Sequence, residues 1–129
     1  MTPPVGFVLF LAVTLALLGA VVATGLRGKR RPHLIFVTLS IASLLTTIYF
    51  AEKLGELYDL EAAGMITPVH LAIAKVATVS YLFPIVTGVR LWFGKGNRRL
   101  HFWSAMSVLA LTVVTALTGT WMVLASTPL

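Results

Sequence analysis

Four long apolar segments dominate this sequence, and no other feature limits its folds so strongly. They span about residues 5–26, 33–51, 66–93 and 100–125. An α-helix of about 20 mainly apolar residues crosses the hydrocarbon core of a bilayer. Inside that core every backbone polar group must be paired, and a helix pairs them within one segment. The pattern therefore predicts an all-α membrane protein with four transmembrane helices.

The composition favours lipid over water as the solvent of this chain. Hydrophobic residues make up 58% of the 129 residues and charged residues only 11%, whereas soluble domains carry roughly 25% charged residues. The length suits one domain. Because the connections between the apolar segments are short, we expect a single four-helix transmembrane domain over residues 1–129, packed as an up-down bundle.

The charged residues predict how the helices are oriented. Eight of the ten Lys and Arg form two clusters, named here the first basic cluster (Arg27, Lys29, Arg30, Arg31) and the second basic cluster (Arg90, Lys95, Arg98, Arg99). All four acidic residues lie between them, in an acidic segment at residues 52–61. Lys and Arg concentrate on the cytoplasmic side of membrane proteins. The pattern predicts that both basic loops face the cytoplasm and that both termini lie outside.

The same distribution argues against nucleic acid as a partner. The net charge is +6, but the basic clusters flank apolar segments, where they act as topology signals and attract anionic lipid. Cysteine is absent, which excludes disulfides, thiolate nucleophiles and Cys-ligated metal sites.

Two histidines, His33 and His101, open the second and fourth apolar segments. In an up-down bundle these helices start at the same face and lie diagonally, so the two imidazoles share one depth. A six-coordinate haem needs two imidazoles on opposite faces of one plane. This placement predicts haem b with His33 and His101 as axial ligands. The alternatives are another metal, or polar side chains at the membrane interface without a ligand.

Four arginines lie just outside this histidine pair and are candidates for pairing with the haem propionates, since Arg binds carboxylates in a bidentate manner. They are Arg30, Arg31, Arg98 and Arg99.

His70 and Lys75 lie in the third apolar segment, and Glu52 closes the second. A metal site, with copper as the alternative cofactor, could use His70 with Glu52. The other interpretation is a hydrogen-bonded interfacial histidine. A charge inside a bilayer costs about 2.5–3.5 kcal/mol, so Lys75 should face the bundle with Glu52 as its partner, or extend towards the interface. A structural ion pair and a proton or quinone site both remain open for it.

A short repeat suggests that the chain consists of two related helical hairpins. Residues 24–27 (Thr-Gly-Leu-Arg) recur as residues 87–90 (Thr-Gly-Val-Arg). Residues 30–33 (Arg-Arg-Pro-His) recur as residues 98–101 (Arg-Arg-Leu-His). Pro84 should kink the third helix.

The chain also resembles a known family between about residues 29 and 125. The likeness depends on His33, Tyr49-Phe50-Ala51-Glu52, His70, His101 and Thr118-Gly119. It is similar to the small four-helix bacterial membrane proteins of unknown function that include the cytochrome oxidase assembly factor CtaM. That family is expected to carry a histidine near the end of helix 2, where this chain has Glu52. The resemblance implies a role in haem–copper oxidase maturation, handling haem or copper. Together with the charge pattern it implies a bacterial inner membrane location. The general architecture also resembles small b-type membrane cytochromes.

The leading functional hypothesis is a haem-b-binding membrane protein that acts in electron transfer or in haem–copper oxidase or haem assembly. The alternatives are a non-catalytic accessory subunit of a larger membrane complex and a copper- or metal-handling assembly factor. An electron carrier or assembly factor is favoured over an enzyme because no nucleophile–base pair is visible. The partners that fit such a membrane protein are membrane lipid, respiratory complex subunits, quinone and a second copy of the chain.

Overall fold

The computed structural model describes residues 1–129, and its regular structure is almost entirely helical. The α-helices are α1 (Pro3–Leu26), α2 (Arg30–Gly55), α3 (Ile66–Ser80), α4 (Leu82–Trp92) and α5 (Arg98–Ala125). A 3₁₀ helix covers Leu60–Ala63, and two-residue strands lie at Tyr58–Asp59 (β1) and Thr127–Pro128 (β2).

Four helical spans are long and apolar enough to cross a membrane. They are Pro3–Leu26, Arg30–Gly55, Ile66–Trp92 and Arg98–Ala125. The prediction of four such helices is therefore confirmed. The helices reach further than the apolar runs, since α2 begins at Arg30 and α5 at Arg98. His33 and His101 consequently lie in the first turns of their helices and not at their first residues.

The third span is interrupted at Tyr81, between α3 and α4. Pro84 causes the interruption because it has no N–H to donate to the carbonyl of Ser80, and its ring clashes with that carbonyl. The Tyr81 N–H turns to the carbonyl of Thr78 at 3.3 Å, and regular helical bonding resumes where the Ile85 N–H donates to the Tyr81 carbonyl at 3.3 Å. The break thus lies one turn before the proline.

The chain divides into two compact units, Met1–Tyr58 and Asp59–Leu129. The first unit, called here the first hairpin, packs α1 against α2. The second unit, called the second hairpin, packs both α3 and α4 against α5, with the 3₁₀ helix lying against α3 and α5.

The helix before the turn ends in the same way in both hairpins, α1 in the first and α4 in the second. Gly28 and Gly94 take left-handed conformations with φ of 67° and 72°. The N–H of the next residue, Lys29 or Lys95, donates to the carbonyl five residues earlier at 3.0 and 2.8 Å. This is the glycine C-cap that satisfies the last carbonyls of a helix, and glycine adopts its left-handed backbone without a steric cost.

A buried hydroxyl cluster holds the middle of the first hairpin together. Thr14 is 1% exposed, and its Oγ1 lies 2.7 Å from Ser43 Oγ and 3.0 Å from Thr47 Oγ1. The Thr14 hydroxyl also donates to the carbonyl of Phe10 at 2.7 Å, and the Phe10 ring stacks on Phe50. Interhelical hydrogen bonds of this kind hold membrane helices together where no hydrophobic force acts between them.

Candidate functional site

Each of the three histidines reaches across its own hairpin to a Thr-Gly pair on the neighbouring helix. We call this arrangement a histidine clasp. The three clasps are His33 on Thr24-Gly25, His101 on Thr87-Gly88 and His70 on Thr118-Gly119. The first clasp belongs to the first hairpin, and the other two belong to the second hairpin.

The surroundings of His33 determine which of its ring nitrogens carries the proton. Its Nδ1 lies 2.9 Å from the carbonyl oxygen of Val21 and 3.4 Å from Thr24 Oγ1. Because a carbonyl oxygen can only accept, Nδ1 must donate. Neutral His33 is therefore protonated on Nδ1, and its Nε2 carries the lone pair.

His101 has the same tautomer for a related reason. Its Nδ1 lies 2.9 Å from Thr87 Oγ1, and the Thr87 hydroxyl donates its only proton to the Phe83 carbonyl at 2.8 Å. The threonine oxygen must then accept from His101. Ser104 supports this end of the clasp, since its hydroxyl donates to the His101 carbonyl at 2.9 Å.

His70 repeats this arrangement near the opposite end of the second hairpin. Its Nδ1 lies 2.9 Å from Thr118 Oγ1, and the Thr118 hydroxyl donates to the Val114 carbonyl at 2.9 Å. His70 is thus hydrogen-bonded within its own hairpin. Its roles as a metal ligand with Glu52 and as an interfacial histidine both stay predictions.

The glycine of each clasp leaves room for the imidazole ring. A Cβ built on Gly25 or on Gly88 would lie 3.0 Å from Cε1 of the clasped histidine, and one built on Gly119 would lie 2.8 Å from it. Ordinary Cβ contacts are longer, at 3.4–4 Å. Each ring therefore packs directly on a helix backbone. In the sequence, Thr24-Gly25 and Thr87-Gly88 stand out as a repeat and Thr118-Gly119 as part of the family resemblance, but the histidine contact that all three pairs share could not be predicted from it.

Positive charge accompanies two of the clasps but not the third. Arg30 precedes His33 by three residues and Arg98 precedes His101 by three, a spacing that places side chains on the same face of a helix. The four arginines expected to bind propionates are all exposed: Arg30, Arg31, Arg98 and Arg99. The only charged residue on α3, which carries His70, is Lys75.

Glu52 and Lys75 are both exposed, Glu52 on α2 of the first hairpin and Lys75 on α3 of the second. The chain forms one ion pair, between Lys53 and Glu56 at 2.9 Å. No group of three or more His, Cys, Asp or Glu is arranged to hold a metal ion. The pairings of His33 with His101, and of Glu52 with His70 or Lys75, join residues of different hairpins and stay predictions.

No protein-family model, curated protein or solved structure matches this chain.

Proposed function

We propose that the chain is a haem-b-binding protein of the bacterial inner membrane, with His33 and His101 as axial ligands. It would act in electron transfer, as the small b-type membrane cytochromes that it resembles in architecture suggest, or in haem–copper oxidase or haem assembly, the role that the family resemblance implies. One observation carries the proposal: the Nδ1 atom of each histidine lies 2.9 Å from an oxygen of its own hairpin, the Val21 carbonyl for His33 and Thr87 Oγ1 for His101. Metal-bound imidazoles almost always donate their other ring N–H in this way, which fixes the ring and makes the ligating nitrogen more basic.

The donor set fits the chemistry of a haem iron. The Val21 carbonyl and Thr87 Oγ1 would orient the two imidazoles through their Nδ1 atoms, and Nε2 would be the atom of each ring that binds the iron. Arg30 and Arg98, on the same helix faces as the histidines, supply the positive charge that propionates need. When bound, haem would supply reversible one-electron transfer. The protein would fix the orientation of both rings and balance the carboxylate charge.

The proposed topology follows from the turns of the hairpins. The first basic cluster surrounds the turn between α1 and α2, and the second surrounds the turn between α4 and α5. The acidic segment lies between the two hairpins in sequence. Under the positive-inside rule this pattern supports cytoplasmic turns with both termini outside.

The test is the absorption spectrum of the purified chain in detergent, combined with a haem assay. We expect a reduced b-type spectrum from the wild type, and its loss in both His33→Ala and His101→Ala. His70→Ala is the matched control, because it removes a clasped histidine that has no arginine beside it. The control should keep the spectrum.

Two results would overturn the proposal. One is a wild-type protein that binds no haem even when expressed with excess haem. The other is a spectrum that disappears with His70→Ala but survives His33→Ala. Stable copurification with other membrane subunits and no haem would instead favour an accessory subunit.

A further inference from the structure

The turn of the second hairpin contains a cavity of about 250 Å³. Arg90 and Lys95 line it together with Asn97, and Val86 and Leu100 form apolar parts of its wall. All five residues belong to the second hairpin, so the cavity is formed within one unit.

The cavity arises from extra residues that the first hairpin lacks. The clasp of the first hairpin joins residues nine apart, whereas the equivalent clasp of the second joins residues 14 apart. Three of the extra residues lie before the capping glycine and lengthen α4 by about one turn. The other two, Gly96 and Asn97, follow the capping glycine. A Cβ on Gly96 would lie 2.8 Å from the backbone nitrogen of Leu91, so the added loop folds back against the end of α4.

The charge on the cavity wall is not neutralised within the protein. Arg90 and Lys95 are both exposed, and neither forms an ion pair, since the only one in the chain joins Lys53 to Glu56. Two adjacent cations without a counter-ion attract an anion. The nearby helix terminus does not supply this attraction, because the Asn97 side chain already accepts the N–H groups of Arg99 and Leu100 at 2.9 and 3.2 Å.

We propose that this cavity binds a phosphate group, supplied by the headgroup of an anionic phospholipid. Arg90 and Lys95 would pair with the phosphate oxygens. Val86 and Leu100 are 55% and 58% exposed, and they offer an apolar surface for the first part of an acyl chain. The cavity lies where an apolar span of 27 residues ends, which is where lipid headgroups meet a membrane helix. Neither cation belongs to the residues proposed to hold haem.

Lipid binding to the delipidated full-length chain in detergent, counted by native mass spectrometry, tests the proposal. The probes are phosphatidylglycerol, neutral phosphatidylcholine and inorganic phosphate. Since each basic residue near a membrane surface contributes about 1 kcal/mol to binding of anionic lipid, the double variant R90Q/K95Q should bind phosphatidylglycerol about 30-fold more weakly. Phosphatidylcholine binding should be weak in the wild type and unchanged in the variant.

The matched control is R27Q/K29Q. It removes the same two charges from the turn of the first hairpin, and all four residues are exposed, so neither variant disturbs packing. We expect this control to lose clearly less affinity for phosphatidylglycerol than R90Q/K95Q does, because the first turn lacks the added residues Gly96 and Asn97 that line the cavity. Equal weakening in both variants would overturn the site in favour of general surface attraction, as would equal binding of the two lipids. Tight binding of inorganic phosphate that depends on Arg90 and Lys95, without a preference for phosphatidylglycerol, would show that the cavity binds free phosphate and not a lipid headgroup.

Discussion

At the scale of single residues, the orientation of His70 and His101 depends on threonine hydroxyls that donate their own proton to a helix carbonyl. Thr87 and Thr118 each donate to a carbonyl of their own helix and can then only accept from an imidazole. This back-bonding normally contributes little to a helix. Here it converts an ambiguous hydroxyl into an acceptor and selects one tautomer of the histidine.

Replacing Thr87 by valine tests this role. Thr87→Val keeps the shape of the side chain but removes the acceptor of His101 Nδ1–H. The unpaired donor should cost about 1–3 kcal/mol of stability. If the chain binds haem as proposed, the less basic ligand should also raise the reduction potential of the haem. Thr78→Val is the control, because the Thr78 hydroxyl is exposed and bonds only to its own helix at Ala74. An unchanged unfolding temperature together with an unchanged potential would contradict the assigned role.

Two glycine-to-alanine variants should change stability in opposite directions. In Gly119→Ala the new methyl group would meet His70 at 2.8 Å, so the ring must move and lose its bond to Thr118. We expect a loss of about 1 kcal/mol or more. Gly19 has nothing within 4 Å of a built Cβ, so Gly19→Ala should gain up to about 1 kcal/mol from helix propensity. Thermal unfolding in detergent measures both, and a stabilised Gly119→Ala would show that the clasp tolerates a side chain.

At the scale of the elements, turn length sets which residues of two helices meet. The extra residues in the second turn change the spacing from Thr to His from nine to 14, yet the same clasp forms. The same Thr–His contact therefore forms in both hairpins, although the number of residues between the threonine and the histidine differs. This explains why the sequence repeat indicated two related hairpins but could not predict their clasps, which depend on a register that the turn geometry fixes.

The third helical span is interrupted at Tyr81. Pro84→Ala tests whether the proline causes this interruption. Alanine restores an N–H that can donate to the Ser80 carbonyl, so α3 and α4 should join into one helix. Hydrogen–deuterium exchange should show a protected amide at position 84 in the variant. The amide of Ile85, which already donates to Tyr81 at 3.3 Å, is the internal control. A rapidly exchanging amide at position 84 beside a protected Ile85 would mean that another residue breaks the helix.

At the scale of the whole molecule, the apolar pattern predicts four spans because lipid requires each to be helical and about 20 residues long. The first span ends at Leu26 and the fourth at Ala125, as the sequence indicates. The break at Tyr81 was harder to place, since a proline acts on the turn before it. The candidate site is less predictable still: single histidines mark candidate ligands, but their partners Val21, Thr87 and Thr118 depend on packing.

The absence of cysteine allows a clean test of the proposed topology. Single cysteines can be introduced at exposed residues in the two turns and in the acidic segment, as Lys29→Cys, Lys95→Cys and Ala62→Cys. A membrane-impermeant maleimide should label Ala62→Cys in intact cells, and should label the other two only after the cells are permeabilised, because basic turns stay on the cytoplasmic side. The haem proposal requires that the two turns behave alike, since His33 and His101 follow them in sequence. Labelling of only one turn in intact cells would place the two histidines on opposite sides of the membrane and exclude them as ligands of one haem.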